Sequence, residues 1–160
     1  MSEQSFTTSF IVSRSPERVV DAVRDVRGWW SKALAGDSAE PGDVFTYEVL
    51  DVHRSTIRVV EVVSGARVVW RVLDNWFAFT EDQEEWNDTE VRFDITSVDG
   101  GTELRFTHVG LIPSFECFDA CRHGWTFYIG TSLRSLIDTG TGSPDEDPRV
   151  AAMRASGSAD

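Results

Sequence analysis

Both cysteines of the chain and one of its three histidines fall within FECFDACRHGWTFYIGTSLRSLI, residues 115–137. Cys117 and Cys121 stand four apart, which places two side chains on one face of a helix. Such a pair could share a metal ion or act as thiols. A structural zinc site needs about four ligands, and only His108, on the segment just before, could join the two cysteines. On a helical wheel Cys117, Phe118, Cys121, Trp125, Tyr128, Ile129, Leu133 and Leu136 share one broad arc, with Ser132 inside it. Glu116, His123, Thr131, Arg134 and Asp138 lie opposite. The cysteines therefore face inward and His123 outward, and no metal site is expected. Free cysteine packs as a small hydrophobe, with a thiol facing a cavity as the alternative.

Two other residues carry chemistry. In TELRFTH, Leu104, Phe106 and His108 alternate onto one face of a strand. In ARVVWRVLD, Val68, Trp70, Val72 and Asp74 do the same. If both faces look at the helix, His108 and Asp74 become isolated polar groups in an apolar space, the usual make-up of a small-molecule site. A histidine titrates near neutrality and suits proton transfer, with Asp74, Tyr128 or Cys121 assisting. The plainer readings are a core histidine for His108 and a turn residue in DNW for Asp74.

The elements that must hold these residues follow from periodicity and punctuation. SFTTSFIVSRS (5–15) alternates as a strand. Ser15 is a suitable N-cap, Pro16 fits the first helical position, and Val19, Val20 and Val23 form a stripe, so a helix is expected from 16 to about 24. DVRGWWSKAL (25–34) continues as a second short helical piece, and AGDSAEPGD (35–43) is a loop. Strands are expected at 44–50, 55–63, 66–74, 89–98 and 102–111, with Asp99-Gly100-Gly101 turning between the last two. Pro113 opens a terminal helix over about 114–139, ended by Gly140. Residues 1–140 are expected to form one domain. Residues 141–160 read as a flexible acidic tail. Strands joined by short turns and followed by a long helix imply an α+β fold, with an antiparallel sheet and a concave space beneath the helix.

Composition narrows the function. The chain has 160 residues and a formal charge of −12, with one Lys against fourteen Arg. Such a surface repels phosphate backbones and anionic membranes, so neither nucleic acid nor membrane is an expected partner. No run is long enough to span a bilayer and no leader pattern opens the chain, so a cytoplasmic location with free thiols is expected. Six Trp and ten Phe are many for this length; an apolar cavity between sheet and helix could use them. Trp29 and Trp30 would close one end of it, and Trp76, Phe77 and Phe79 the other rim. EDQEE (81–85) reads as a solvated acidic loop.

Taken together, SFIVSRSPERVVDAV, the paired GWWS, GDVFTYEV, the VVEVVSGARVVWRV hairpin and GGTELRFTHVGL before the long helix resemble the SRPBCC superfamily, which includes START and birch-pollen-allergen proteins. Within it, the chain is most similar to single-domain homologues of the heat-shock-ATPase activator. The resemblance covers about 5–139. It implies a helix-grip fold, in which a curved antiparallel sheet wraps a long C-terminal helix, with two short helices after the first strand. It also implies a cavity that takes lipids, sterols, polyketides or similar molecules, and in a few members cyclisation or hydration. The eukaryotic activators carry a further N-terminal domain for which this chain has no room, which speaks against chaperone activation.

Three functions stay open at this point. The first is a module binding a small apolar or amphipathic ligand through Trp30, Trp70, Val72, Trp76, Phe106, His108, Phe118, Cys121, Trp125, Tyr128 and Ile129, without a cofactor. The second is a cyclase- or hydratase-like enzyme using His108 as general acid or base. The third is a protein-interaction module of stress machinery, as a monomer or homodimer, with Phe127 or Trp76 at its surface.

Overall fold

The computed structural model describes residues 4–146. Seven strands form one antiparallel sheet: β1 (Phe6–Val12), β2 (Ala35–Gly36), β3 (Val44–Val49), β4 (His53–Val63), β5 (Arg67–Phe77), β6 (Glu90–Val98) and β7 (Gly101–Val109). Their spatial order is β1-β7-β6-β5-β4-β3-β2. The first strand and the last are therefore neighbours, and Phe6 pairs with His108. Between β1 and β2 lie α1 (Pro16–Arg24) and a single 3₁₀ turn (Val26–Gly28). Ser15 caps α1 through Arg18 N at 3.2 Å, and its valine stripe is buried. The second helical piece is thus one turn long, because Gly28 and the two tryptophans after it leave the helical path.

The terminal helix starts later than expected. Pro113 sits in a turn, and α2 spans Phe118–Phe127. It runs on through a π-helical segment (Tyr128–Leu133) into α3 (Arg134–Thr139), and Gly140 ends it with φ 85°. Only glycine adopts that φ readily. The expected wheel holds through the π segment, with Cys121, Trp125, Tyr128, Ile129, Ser132 and Leu133 buried and His123 exposed. Residues 141–146, the start of the expected tail, are tied to the domain. Asp145 N donates to Trp30 O at 2.9 Å, and Lys32 N donates back to Asp145 Oδ2 at 2.9 Å. The remainder of the expected tail, 147–160, lies outside the described residues.

The space between sheet and helix is mostly filled with indole rings. Trp29, Trp30 and Trp70 stack in near-parallel planes with centroids 6.1 Å apart. Trp125 from α2 tilts against Trp30 at 5.0 Å, and Trp86 stacks on Trp125 at 5.7 Å. Rings in these offset and tilted arrangements add to the burial of their area. Under the helix, then, most of the expected cavity is core.

Candidate functional site: an aromatic pocket at the β3–β5 end

What remains open is a pocket of about 70 Å³ where α2 crosses β3, β4 and β5. Trp30, Tyr47, Val49, Val52, His53, Phe77, Phe79, Trp86, Ala120, Cys121, Gly124, Trp125 and Tyr128 line it. Of the residues expected to meet a ligand, Trp30, Cys121, Trp125 and Tyr128 stand in this wall. Trp70, Val72, Phe106 and Ile129 are wholly buried elsewhere in the core. Phe118 is half-buried and packs against the core without reaching the pocket.

Asp74 and Trp76 are on the wrong face, for one reason. Thr56 pairs with Asp74 and Ile57 with Val72, so Leu73 is an extra residue in β5. This β-bulge inverts the alternation after Val72. Asp74 becomes exposed, Trp76 turns away from the pocket, and Asn75 and Phe77 turn in. Asp74 therefore does not join His108 in the interior.

His108 is completely buried and has both ring nitrogens engaged. Trp125 Nε1 donates to its Nδ1 at 3.1 Å, which makes Nδ1 the acceptor. Nε2 then carries the proton and donates to Thr89 Oγ1 at 2.8 Å, and Thr89 Oγ1 donates on to Trp86 O at 2.6 Å. Burial drops the pKa to about 3, aided by repulsion from His53. The ring is a neutral brace that sets the planes of Trp125 and the Trp86 segment. It does not line the pocket.

A titratable group that does line the pocket is His53, which sequence reasoning left in the link between two strands. Its Nε2 lies 2.8 Å from Asn75 Oδ1 and 3.1 Å from Ser55 Oγ. Ser55 Oγ also donates to the same Asn75 oxygen. Asn75 Nδ2 faces Gln83 O at 3.5 Å, so the amide presents its oxygen to His53. The imidazole is thus the Nε2–H tautomer, and burial lowers its pKa to about 4 despite the bond to Asn75. No charged partner raises it. Its signal in the sequence was faint, since the inward turn of Asn75 depends on the bulge.

Cys121 lies in the wall with its sulfur 2.7 Å from Cys117 Sγ. Burial first, and Cys117 second, push its thiol well above the ordinary range. It is protonated at neutral pH and a poor nucleophile. Among the described residues, no three His, Cys, Asp or Glu side chains gather to hold a metal ion.

The loop after β5 closes the pocket with Phe79 and Trp86. Two carboxylates clasp it to the start of the terminal helix. Glu116 accepts from Glu81 N and Asp82 N, both at 2.9 Å. Glu85 accepts from Glu116 N at 2.7 Å and Cys117 N at 3.0 Å, in the turn that leads into α2. The acidic loop is therefore anchored rather than merely solvated. Hydrogen bonds from the Asp82 and Glu81 amides hold the Glu116 pKa low. Its stabilisation is present above the ordinary carboxylate pKa and is lost as pH falls through the lowered value. Glu116→Ala should speed hydrogen exchange at the Glu81 and Asp82 amides roughly tenfold at neutral pH, with β6 and β7 unchanged. Unaltered exchange at those two amides would dismiss the clasp.

Residues 15–138 match the family described as Activator of Hsp90 ATPase homolog 1-like protein. The chain belongs to this family. Among solved structures, the Aha1 dimer from Colwellia psychrerythraea is similar at 20% identity and TM-score 0.69, over 87% of this chain and 99% of that one. DynU16, from the dynemicin biosynthetic locus, is similar at 19% identity and TM-score 0.66, over 89% of this chain and 50% of that longer one. Protein MLL2253 from Mesorhizobium loti gives 16% identity and TM-score 0.62, over 79% of this chain and 92% of that one. No curated protein matches the sequence. At these identities the neighbours establish the helix-grip fold of the Activator of Hsp90 ATPase homolog 1-like family, an SRPBCC-type α+β architecture. Among the described residues no helix is long and apolar enough to cross a membrane.

Proposed function

We propose that this chain binds a compact apolar or amphipathic molecule in the pocket under α2. The observation that carries this is the character of the wall. Seven of its thirteen residues are Trp, Tyr or Phe, and none is Lys, Arg, Asp or Glu. An aromatic hollow left open inside an otherwise filled core is what ligand sites look like. Its 70 Å³ is well below the roughly 300–1,000 Å³ of sites for drug-sized ligands. A sterol or a long acyl chain would need Trp30 or Trp125 to move, so a smaller occupant is favoured. The presence of this fold in a biosynthetic locus, that of DynU16, agrees with small-molecule binding.

Acid–base catalysis at His108 is not part of this reading. Protonating His108 would break the Trp125 bond inside the core, and Asp74 faces away. The test is native mass spectrometry of the purified protein, then denaturation and identification of what is released, paired with a ligand-observed NMR screen of monocyclic and bicyclic fragments. A retained small compound, or fragments displaced by Trp125→Leu, is the expected result. A bare protein that no fragment touches would refute binding and direct attention to protein partners.

A further inference from the structure

The pocket's polar atoms say more about its occupant. Trp86 is 3% exposed, and its Nε1 is buried with no hydrogen-bond partner. That N–H points at the Cys121 sulfur closely enough to favour the ionised thiol, but the contact is too loose for a hydrogen bond of normal geometry. A thiol is a weak acceptor in any case. An unpaired buried N–H is costly and rare. Trp70 Nε1 is also unpaired, but it is sealed in the core away from the pocket.

Beside Trp86 is His53, with ring centroids 4.9 Å apart and planes at 86°. Because His53 Nε2 gives its hydrogen to Asn75 Oδ1, Nδ1 is left as an acceptor, and no described residue donates to it. Two rings in contact thus carry complementary groups: one donor on Trp86, one acceptor on His53. A neutral hydroxyl satisfies both, accepting from the first and donating to the second.

Charge and size narrow the rest. With no ionised side chain in the wall, a carboxylate or ammonium would be buried without a counter-charge, at a large cost. The volume of 70 Å³ is about half that of an engineered apolar cavity of roughly 150 Å³ that holds benzene. Phe79 is exposed at the pocket's rim, so a single ring can enter there with one edge at the mouth. Trp30, Trp125 and Phe77 offer it ring faces and edges.

We propose that the pocket selects an uncharged single-ring aromatic alcohol, whose hydroxyl accepts from Trp86 Nε1 and donates to His53 Nδ1. This rests on the reading of the pocket as a ligand site. It is tested by titrating the full chain with phenol, benzene and benzoate, following tryptophan fluorescence and ligand-observed NMR. Phenol should bind about tenfold more tightly than benzene, and benzoate should not bind at pH 7. Within Trp86→Phe itself, phenol should bind no more tightly than benzene. Equal affinity for phenol and benzene in the unsubstituted protein would overturn the hydroxyl assignment and leave the apolar site standing. Tighter binding of benzoate would overturn it too. Binding of none of the three would remove both the assignment and the site. The comparison of probes needs no variant, so a misfolded Trp86→Phe would still leave the hydroxyl assignment decided by phenol against benzene.

Discussion

Lowering the pH from 7 to 5 should cost this fold about 4 kcal/mol of stability, about 2 kcal/mol for each of two histidines. The sign follows from where the protons go. Burial lowers the pKa of His53 to about 4 and that of His108 to about 3, while an unfolded histidine titrates at 6.5. Between 6.5 and those folded values, the unfolded chain takes up protons that the native chain refuses. Stability is therefore full above the unfolded pKa, falls through the window, and levels off only below the folded values. Neither ring has an acidic partner that would favour a proton taken up in place. His108 Nδ1 already accepts from Trp125, and a charge there would sit among Trp86, Trp125 and Phe106. Urea unfolding at pH 7, 6 and 5 measures the effect as a fall in midpoint at constant slope. His108→Leu should be less stable at pH 7, because Trp125 Nε1 and Thr89 Oγ1 lose their partner, but its loss on acidification should be about half as large. A stability unchanged between pH 7 and 5, or NMR titration of His108 near 6.5, would show that the ring is not buried neutral.

The parts of the structure legible in the sequence are those set by local rules. Ser15-Pro16 starts α1, Asp99-Gly100-Gly101 turns β6 into β7, and Gly140 ends the helix, because capping, turn and left-handed positions each demand particular residues. The inward arc of the terminal helix was readable for the same reason. The site was less legible because its composition depends on non-local geometry. A single extra residue at Leu73 reverses which side chains of β5 enter the interior, exchanging Asp74 and Trp76 for Asn75 and Phe77. Nothing in LDNWF marks a bulge, since the alternation is broken by backbone pairing with β4 rather than by a glycine. His53 then matters only because Asn75 turns inward to fix its tautomer. Trp86 was hidden in an acidic loop whose carboxylates look solvated until Glu85 and Glu116 are seen gripping backbone amides across the chain. Where an aromatic-rich sequence suggests an open cavity, stacking decides how much stays open. Here Trp29, Trp30 and Trp70 occupy one another's free space, and the hollow shrinks to one end.

That division between filled core and open pocket runs through Trp30, so Trp30→Ala should have the largest effect of any single substitution in the wall. Its ring is 2% exposed, stacks on Tyr47 at 4.3 Å, and touches Trp70 and Trp125 on its other sides. Truncation removes those contacts and leaves a void, at a cost of about 3–5 kcal/mol. The void cannot close easily, because Trp70 is held in β5, Trp125 is held by His108, and Trp30 O is tied to Asp145 N. It would instead merge with the existing pocket into a slot the shape of an indole. Free indole should therefore rescue the variant. At about one hundred times its dissociation constant, a ligand that binds only the folded state restores about 2.7 kcal/mol. Thermal melts of both proteins with and without indole measure this directly, and the expected pattern is a large rise for the variant against little for the parent chain. A truncation that costs under about 1 kcal/mol would mean the neighbouring rings had collapsed into the space. An equal rise in both proteins would mean that the native pocket already admits a bicyclic ring, and that Trp30 is a movable gate rather than a wall.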